Sequence, residues 1–371
     1  SPIGGINGTI GVDSLIVDSV RLDTVRLRFY SDSTNMNYAF RIRNNRRNKF
    51  VFTALLDGGL HQHGAYADWR LYDAQNKLGL GIDLSAAMEN GGVRISLQGD
   101  DPIIGYKRFK ANEGNYIFLG SNRRLSANLN LIADDGTGFQ IYTNDSTEAL
   151  RDLTVGFNQI DLAQVTRVIP YMPRMGGKLN GDMHLIRTNT ETSISSAIGL
   201  QNFSYEGCPM GDLGSEFIYM PKGDGTHYVN GTLTCNDREV STLEGTYNAK
   251  SNDIKAQLAL EKTPLRLING FIPQQIIGFR GTGDGTLSVK GNVAKPLVDG
   301  EIMLDSAYLF SEPYGVEMRF DNDPVRIVGS HLLFENFEMH SHNNSTLISN
   351  GELDFSDPSQ MRLDLRMRAD K

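Results

Sequence analysis

Two histidine pairs are the first residues in this sequence that could do chemistry. The segment "HQH" places His61 and His63 two residues apart, and "HSH" does the same with His340 and His342. In a strand this spacing points both imidazoles to one face, and two such pairs brought together could bind zinc. The pairs lie far apart in the chain, and no nearby cysteine or carboxylate completes a known zinc-ligand spacing. The sequence therefore predicts no metal site and no cofactor.

Catalytic motifs of other kinds give no site either. The adjacent carboxylates Asp100 with Asp101, and Asp134 with Asp135, stand in turn sequence, where a solvated carboxylate is the usual state. We find no Gly-x-Ser-x-Gly turn, no P-loop and no dinucleotide fingerprint, and "GTGDGT" has no helix after it. We predict that the protein is not an enzyme.

Charge and composition restrict the partners and the compartment. The net charge of -8 argues against nucleic acid, which needs a basic surface. There is no apolar run of about 18 residues and no signal peptide, and the opening "SPIGGINGTIGV" lacks an initial Met. We therefore expect a piece of a longer protein, with any targeting or anchoring segment outside it. Cys208 and Cys235 leave two alternatives open, a disulfide or two free thiols.

Alternation of apolar and polar residues predicts strands along nearly the whole chain. In "MRLDLRMR", "MNYAFRIR" and "LGLGIDL", every second residue is apolar, so each strand has one apolar face. Turn signals such as "DGG", "DDGTG" and "KGDGT" separate about twenty such strands. The pattern predicts an antiparallel all-β fold in which each sheet buries one side.

Two segments break the strand pattern and predict short helices near residues 161–169 and 264–271. "DLAQVTRVIP" begins at Asp161 and "TPLRLINGFIP" begins at Thr263. Asp161 and Thr263 are suitable capping residues, and Pro264, directly after Thr263, suits the first helical position.

Glycines after these helices reveal an internal repeat. Gly177 and Gly181 align with Gly281 and Gly285 at an offset of 104 residues in both cases (281 − 177 and 285 − 181). Four residues apart in a strand, the two glycines of each pair share a face, where they leave room for a neighbouring backbone and let the sheet coil. Repetition of such a unit predicts a stacked array. We divide the chain into residues 1–150, a continuation of the same sheet, residues 151–260, repeat unit A, and residues 261–371, repeat unit B.

The segment from Asp161 onward resembles the C-terminal region of the TamB family of translocation and assembly module subunits, within the AsmA-like group. The resemblance is carried by the short helix ending in Ile-Pro and by the glycine-punctuated strands of "FRGTGDGTLSVKGNVAKPLVDGEIMLDSAYLF". It implies an elongated, folded-over sheet that forms an apolar groove, in a periplasmic chain anchored in the inner membrane by a segment absent here. It also implies phospholipid and an outer-membrane assembly barrel protein of the TamA type as partners.

A one-sided sheet supports such a groove physically, because two apolar layers held apart leave space for hydrocarbon, and each buried methylene contributes about 0.8 kcal/mol. Two alternatives stay open: a scaffold that pairs with a barrel protein or client by strand addition, and an extracellular β-solenoid adhesin. The residues predicted to line the groove are Met36, Tyr38, Phe40, Leu80, Ile82, Leu287, Val289, Ile302, Leu304, Met318, Phe320, Phe337, Met339, Leu363 and Leu365.

Overall fold

The structure, a computed structural model, confirms the all-β fold class with two short helices. It describes residues 5–17, 20–31, 34–89, 91–121, 124–144, 151–272, 276–321, 324–343, 345–357 and 360–370. Two compact units divide the chain, unit 1 at Ser1–Asn189 and unit 2 at Thr190–Lys371. This boundary falls inside the segment predicted as repeat unit A, and the division into three segments stays a prediction.

Unit 1 contains seventeen described strands, and unit 2 contains twelve. The strands of unit 1 are β1 Asn7–Val12, β2 Leu15–Val17, β3 Val20–Leu22, β4 Thr24–Ser31, β5 Met36–Arg43, β6 Thr53–His61, β7 Gly64–Tyr72, β8 Leu78–Glu89, β9 Gly92–Leu97, β10 Ile103–Ile104, β11 Lys107–Arg108, β12 Lys110–Ala111, β13 Tyr116–Gly120, β14 Leu125–Ile132, β15 Gly138–Thr143, β16 Arg151–Asp161 and β17 Met175–Arg187. Those of unit 2 are β18 Thr192–Tyr205, β19 Cys208–Pro221, β20 Thr226–Cys235, β21 Arg238–Asn248, β22 Asp253–Pro264, β23 Gly278–Asn292, β24 Leu297–Ser311, β25 Val316–Phe320, β26 Pro324–Val328, β27 His331–Ser341, β28 Thr346–Asp354 and β29 Arg362–Asp370.

Both units are antiparallel meanders in which most strands pair with their neighbours in sequence. In unit 1 the order is β1, β4 to β9, then β13 to β17, with β10 beside β8 and β12 beside β14. In unit 2 the order is β18 to β24, then β25 and β26, which pair with two successive stretches of β24, then β27 to β29. Among the described residues, no pairing joins the first and last strand of either meander, so each sheet is open.

The two helices occur where the sequence predicts them, but only one has the predicted cap. Helix α1 spans Leu162–Val168, and the Asp161 carboxylate accepts a hydrogen bond from the Gln164 N–H at 3.1 Å. The second is a 3₁₀ helix at Leu265–Phe271 without a side-chain cap. The prediction that Thr263 caps it was wrong, because the Thr263 hydroxyl donates to the Val240 carbonyl of a neighbouring strand.

A β-bulge precedes each helix and shows the repeat at the level of single atoms. Gln159 and Lys262, 103 residues apart, both have positive φ, at 53° and 45°. Each N–H donates at 2.8 Å to a side-chain oxygen on the next strand, from Asn180 in one case and Asp284 in the other. The extra residue bends the strand and increases its twist, while the side-chain acceptor satisfies the amide that the ladder leaves unpaired.

Two further bulges in unit 2 use the same device. Asn202 donates its N–H to Asp212 at 2.6 Å, and Asn336 donates to Asn350 at 2.9 Å. Both donors have positive φ, at 50° and 53°. The device is therefore a general feature of how these sheets bend, and it is not confined to the helix junctions.

The four predicted structural glycines lie beside these bulges. Gly177, Gly181 and Gly281 have φ of 102°, 122° and 104°, a region that side chains with a Cβ rarely adopt. Gly285 is required for a different reason. A Cβ at this position would collide with the Glu301 carbonyl oxygen of the adjacent strand.

We expect Gly285→Ala to lower the free energy of unfolding by about 1–3 kcal/mol, because the new methyl group meets rigid backbone instead of a movable side chain. Chemical denaturation of the full chain measures this. Gly199→Ala is the matched control, since Gly199 also lies in a strand and a Cβ there has no neighbour within 4 Å. Equal effects of the two substitutions would contradict the explanation.

Candidate functional site

One face of the unit 1 sheet is apolar from strand to strand. Residues directly opposite each other in an antiparallel pair share a face, so the register can be followed across the sheet. We call the face defined by the following two rows the apolar face of unit 1. The rows are Ile10, Leu27, Phe40, Leu56, Trp69 and Ile82, and then Met36, Leu60, Ala65, Ala86, Ile95, Ile117 and Ala127.

Helix α1 covers one end of this apolar face. Its residue Val168 is buried in a cluster with Phe52 and Leu71. Just after the helix, the Tyr171 ring packs 4.5 Å from the Phe50 ring, and its hydroxyl donates to the Arg21 carbonyl at 2.8 Å. Aromatic packing and hydrogen bonds therefore hold the helical segment against the sheet.

The apolar face becomes accessible with distance from this helix. Leu71, in the covered cluster, is 4% exposed, whereas Trp69 in the next row is 44% exposed and Met36 is 43% exposed. Trp69 is the only tryptophan in the chain, and it lies between Leu56 and Ile82 on the neighbouring strands. A large apolar surface is thus left in contact with solvent, which is the property expected of a binding surface.

Unit 2 repeats this design across ten strands. We call the face defined by the next two rows the apolar face of unit 2. The rows are Phe217, Gly231, Leu243, Leu258, Leu287, Gly300, Ile327, Leu332, Leu353 and Leu363, and then Tyr219, Val229, Gly245, Ala256, Val289 and Val298.

Strand β22 shows how the two faces of this sheet differ in burial. Ile254, Ala256 and Leu258 on the apolar face are half-buried, while the intervening Lys255 and Gln257 are exposed. The apolar face is therefore shielded more than the polar one, but these side chains are not closed into a core.

The 3₁₀ helix covers one end of the apolar face of unit 2. Leu265 packs against a cluster formed by Ala307, Phe320 and Phe337. At the other end of the helix, the Phe271 ring stacks on Tyr205 at 5.0 Å between centroids. The two units thus share one plan, a one-sided sheet with a short helix on the apolar face.

The predicted lining residues fall into two groups. Five lie in the buried clusters or pack directly against them, because the helices cover that part of each face; they are Leu80, Leu304, Phe320, Phe337 and Met339. Ten lie half-buried or exposed on the two apolar faces, where contact with hydrocarbon stays a prediction; they are Met36, Tyr38, Phe40, Ile82, Leu287, Val289, Ile302, Met318, Leu363 and Leu365.

Sequence reasoning missed Trp69, the tryptophan of the unit 1 face, which is 44% exposed. Trp69 stands in "YADWRLY", where Ala67, Trp69 and Leu71 alternate with polar residues. This alternation was the available signal, but alternation alone does not say which apolar side chain the helix covers. The covered and uncovered positions differ by only two residues along β7.

The opposite face of unit 1 carries a row of carboxylates. Asp57, Asp68 and Asp83 lie directly opposite one another on β6, β7 and β8. Arg70 forms an ion pair with Asp83. Burial, followed by the negative charge of Asp83, raises the pKa of Asp68.

The first histidine pair and the two cysteines do not form a site. His61 and His63 are exposed at the turn between β6 and β7. Both cysteines are free thiols, so the disulfide alternative was wrong. Burial raises the pKa of the Cys208 thiol, and Cys235 accepts a hydrogen bond from the Arg266 guanidinium at 3.2 Å.

We expect Asp68→Asn to stabilise the protein at pH 7 by about 0.5 kcal/mol, the usual size of a cross-strand charge effect. A raised folded-state pKa means that stability falls as pH rises above the unfolded-state value of 3.8, so the gain should vanish at pH 3. Thermal unfolding between pH 3 and pH 7 measures it. Asp253→Asn, whose neighbours Asn248 and Asn292 are neutral, is the control. A loss of stability in Asp68→Asn at pH 7 would contradict this account.

Comparison of the chain with protein-family models, curated proteins and solved structures gives no match. Neither helix in the described part of the chain has the length and apolar composition needed to cross a bilayer. The resemblance to TamB-like proteins therefore rests on the sequence motifs alone. The structural features from which a function can be argued are the apolar face of unit 1 and the apolar face of unit 2.

Proposed function

We propose that the protein binds the acyl chains of lipids along its apolar faces. The observation that carries the proposal is the continuous apolar surface of each sheet, of which the short helix covers only one end. In unit 1 the uncovered part includes Trp69, Met36 and Leu60, each more than two-fifths exposed. Hydrocarbon is the simplest ligand for a long surface that offers many apolar contacts and few hydrogen bonds.

The energetics favour a chain-like ligand over a compact one. A buried methylene contributes about 0.8 kcal/mol, so ten methylenes that lose half of their exposed surface gain about 4 kcal/mol. The gain grows with the number of strands that the ligand crosses, because the rows of apolar side chains run perpendicular to the strands. No single residue needs to dominate the binding.

Transfer of phospholipid between the inner and outer membranes, with a location in the periplasm, is the wider function that we propose from the resemblance. The apolar faces support it because a surface that binds acyl chains along its length offers equivalent positions from row to row. Movement along such a surface needs no large barrier, since each step exchanges similar contacts. Support of outer-membrane protein assembly belongs to the same proposal.

A second function is favoured by strand β29. Among the described residues the strand that β29 pairs with is β28, so β29 lies at the edge of the sheet. Its apolar residue Leu363 is 63% exposed. An incoming strand could therefore pair with this edge and extend the apolar face at the same time. The partner that we propose for this edge is an outer-membrane barrel protein of the TamA type.

The acyl-chain proposal predicts that phosphatidylcholine with brominated acyl chains quenches Trp69, the only tryptophan. We expect emission to fall by at least half and to shift to shorter wavelength, because the ring moves from water to hydrocarbon. Ile82→Asp, directly opposite Trp69, should reduce quenching at least fivefold. Ser85→Asp, on the other face of the same strand, is the matched control. Unchanged emission, or equal loss in the two variants, would exclude the unit 1 face as the site.

The strand-addition proposal predicts different effects of proline at two neighbouring positions of β29. Backbone N–H groups alternate sides along a strand, so one of Leu365 and Arg366 donates to β28 and the other points away from β28. Leu365→Pro and Arg366→Pro should therefore differ in melting temperature. The more stable of the two variants should lose binding to a purified TamA-type protein by at least tenfold. Binding that survives both substitutions would reject this edge as the contact, whatever the result with brominated lipid.

A further inference from the structure

We infer that Asp321, Glu338 and His340 form a binding site for a divalent transition-metal ion, with Zn²⁺ as the best-suited probe. The three side chains come from two adjacent elements of unit 2. Glu338 and His340 stand two residues apart on β27, and Asp321 follows directly after β25. Their ligand atoms all lie within 4.8 Å of one another.

The backbone fixes the relative position of the ligands. Phe320 pairs with Met339 between β25 and β27, and the Asp321 N–H donates to the Glu338 carbonyl at 3.1 Å. Phe337 and Met339 belong to the buried cluster on the apolar face, so Glu338 and His340 project from the opposite face. Packing on one side of the strand therefore holds the metal-ligating groups in place on the other side.

The distances suit a small cation. His340 Nε2 lies 3.0 Å from Asp321 Oδ1 and 3.8 Å from Glu338 Oε2. Zinc bound tetrahedrally at about 2.0–2.1 Å separates its ligands by about 3.3 Å, a value between these two distances. The ligand atoms of Asp321 and Glu338 also lie within 4.8 Å of each other, so all three groups are near enough to contact one ion after side-chain adjustment.

The other ring nitrogen of His340 is oriented by a hydroxyl group. Nδ1 lies 3.0 Å from Thr346 Oγ1 on β28. When Nδ1 carries the proton and donates a hydrogen bond to Thr346 Oγ1, the lone pair of Nε2 points toward two carboxylates. That arrangement is electrostatically unfavourable without a cation and favourable with one. Metal-binding histidines are commonly oriented through their second nitrogen in this way.

Space for further ligands exists beside His340. A recess of about 200 Å³ borders the site and is lined by Tyr308, Glu317, Arg319, His340, Ser341 and His342. Two carboxylates, one imidazole and water form a donor set of nitrogen and oxygen that suits Zn²⁺ and neighbouring first-row ions. Arg319, opposite His340 in the β25–β27 pair, is the nearby positive charge against which a cation must compete.

Titration of the full, metal-free chain with ZnCl₂ in an isothermal calorimeter tests the site. We expect saturable binding with one ion per chain, weakened at least tenfold in His340→Gln and in Glu338→Gln. Thr346→Val should weaken binding to a smaller degree, because it removes only the orienting hydroxyl. His342→Gln is the matched control, since His342 is exposed and outside the three-residue group, and its affinity should equal that of the unaltered chain.

Circular dichroism spectra and melting temperatures without metal establish that the variants are folded. The inference is overturned if Zn²⁺ does not bind, or if His340→Gln binds it as tightly as the unaltered chain does. It is also overturned if His342→Gln abolishes binding, because the ligands then differ from those proposed. A pH-dependent loss of stability in His340→Gln without any Zn²⁺ binding would identify the group as an ion pair only.

Discussion

Both sheets depend on one constraint, which is that the apolar side chains of neighbouring strands must point to the same face. Side chains alternate with a period of two, so a slip of one residue in any pair would move every following apolar side chain to the polar face. Over the ten strands from β19 to β29 that carry one row, no such slip interrupts it. The bulges contribute directly to this result. Lys262 and Asn336 each add a residue to one strand. A side-chain oxygen from the partner strand accepts a hydrogen bond from the N–H of the added residue, and regular pairing resumes after the bulge.

The short helices decide which part of each apolar face is core and which part is surface. Without α1, Leu71 would face solvent much as Trp69 does, because the two residues lie two positions apart on one face of β7. With α1 in place, one end of the sheet gains a closed cluster that stabilises the unit, and the remainder of the face stays accessible. The part of the face under the helix therefore stabilises the unit, and the uncovered part is accessible to a ligand.

The sequence was sufficient for much of the fold, because period-two alternation and turn residues are local signals. The sequence also placed the ends of both helices within one residue, since capping residues and Ile-Pro pairs are local as well.

Sequence reasoning failed at Thr263, whose hydroxyl contacts a carbonyl on β21, more than twenty residues away. It also failed to separate Phe337, which is buried, from Leu363, which is exposed, since both obey the same alternation. Coverage by a helix is a tertiary property, and residue order within one strand does not encode it. The group of Asp321, Glu338 and His340 escaped notice for a similar reason, because Asp321 comes from the segment that follows the neighbouring strand β25.

The meander order has a consequence for how such a protein changes length. Most strands exchange hydrogen bonds only with the preceding and following strand, so an added hairpin needs no matching change in a second layer. Each inserted pair of strands would lengthen the apolar face by about 10 Å at the usual strand spacing. A duplication or deletion of hairpins is therefore tolerated when it preserves the alternation and keeps an even number of strands. The number of strands in this architecture is therefore largely independent of local packing.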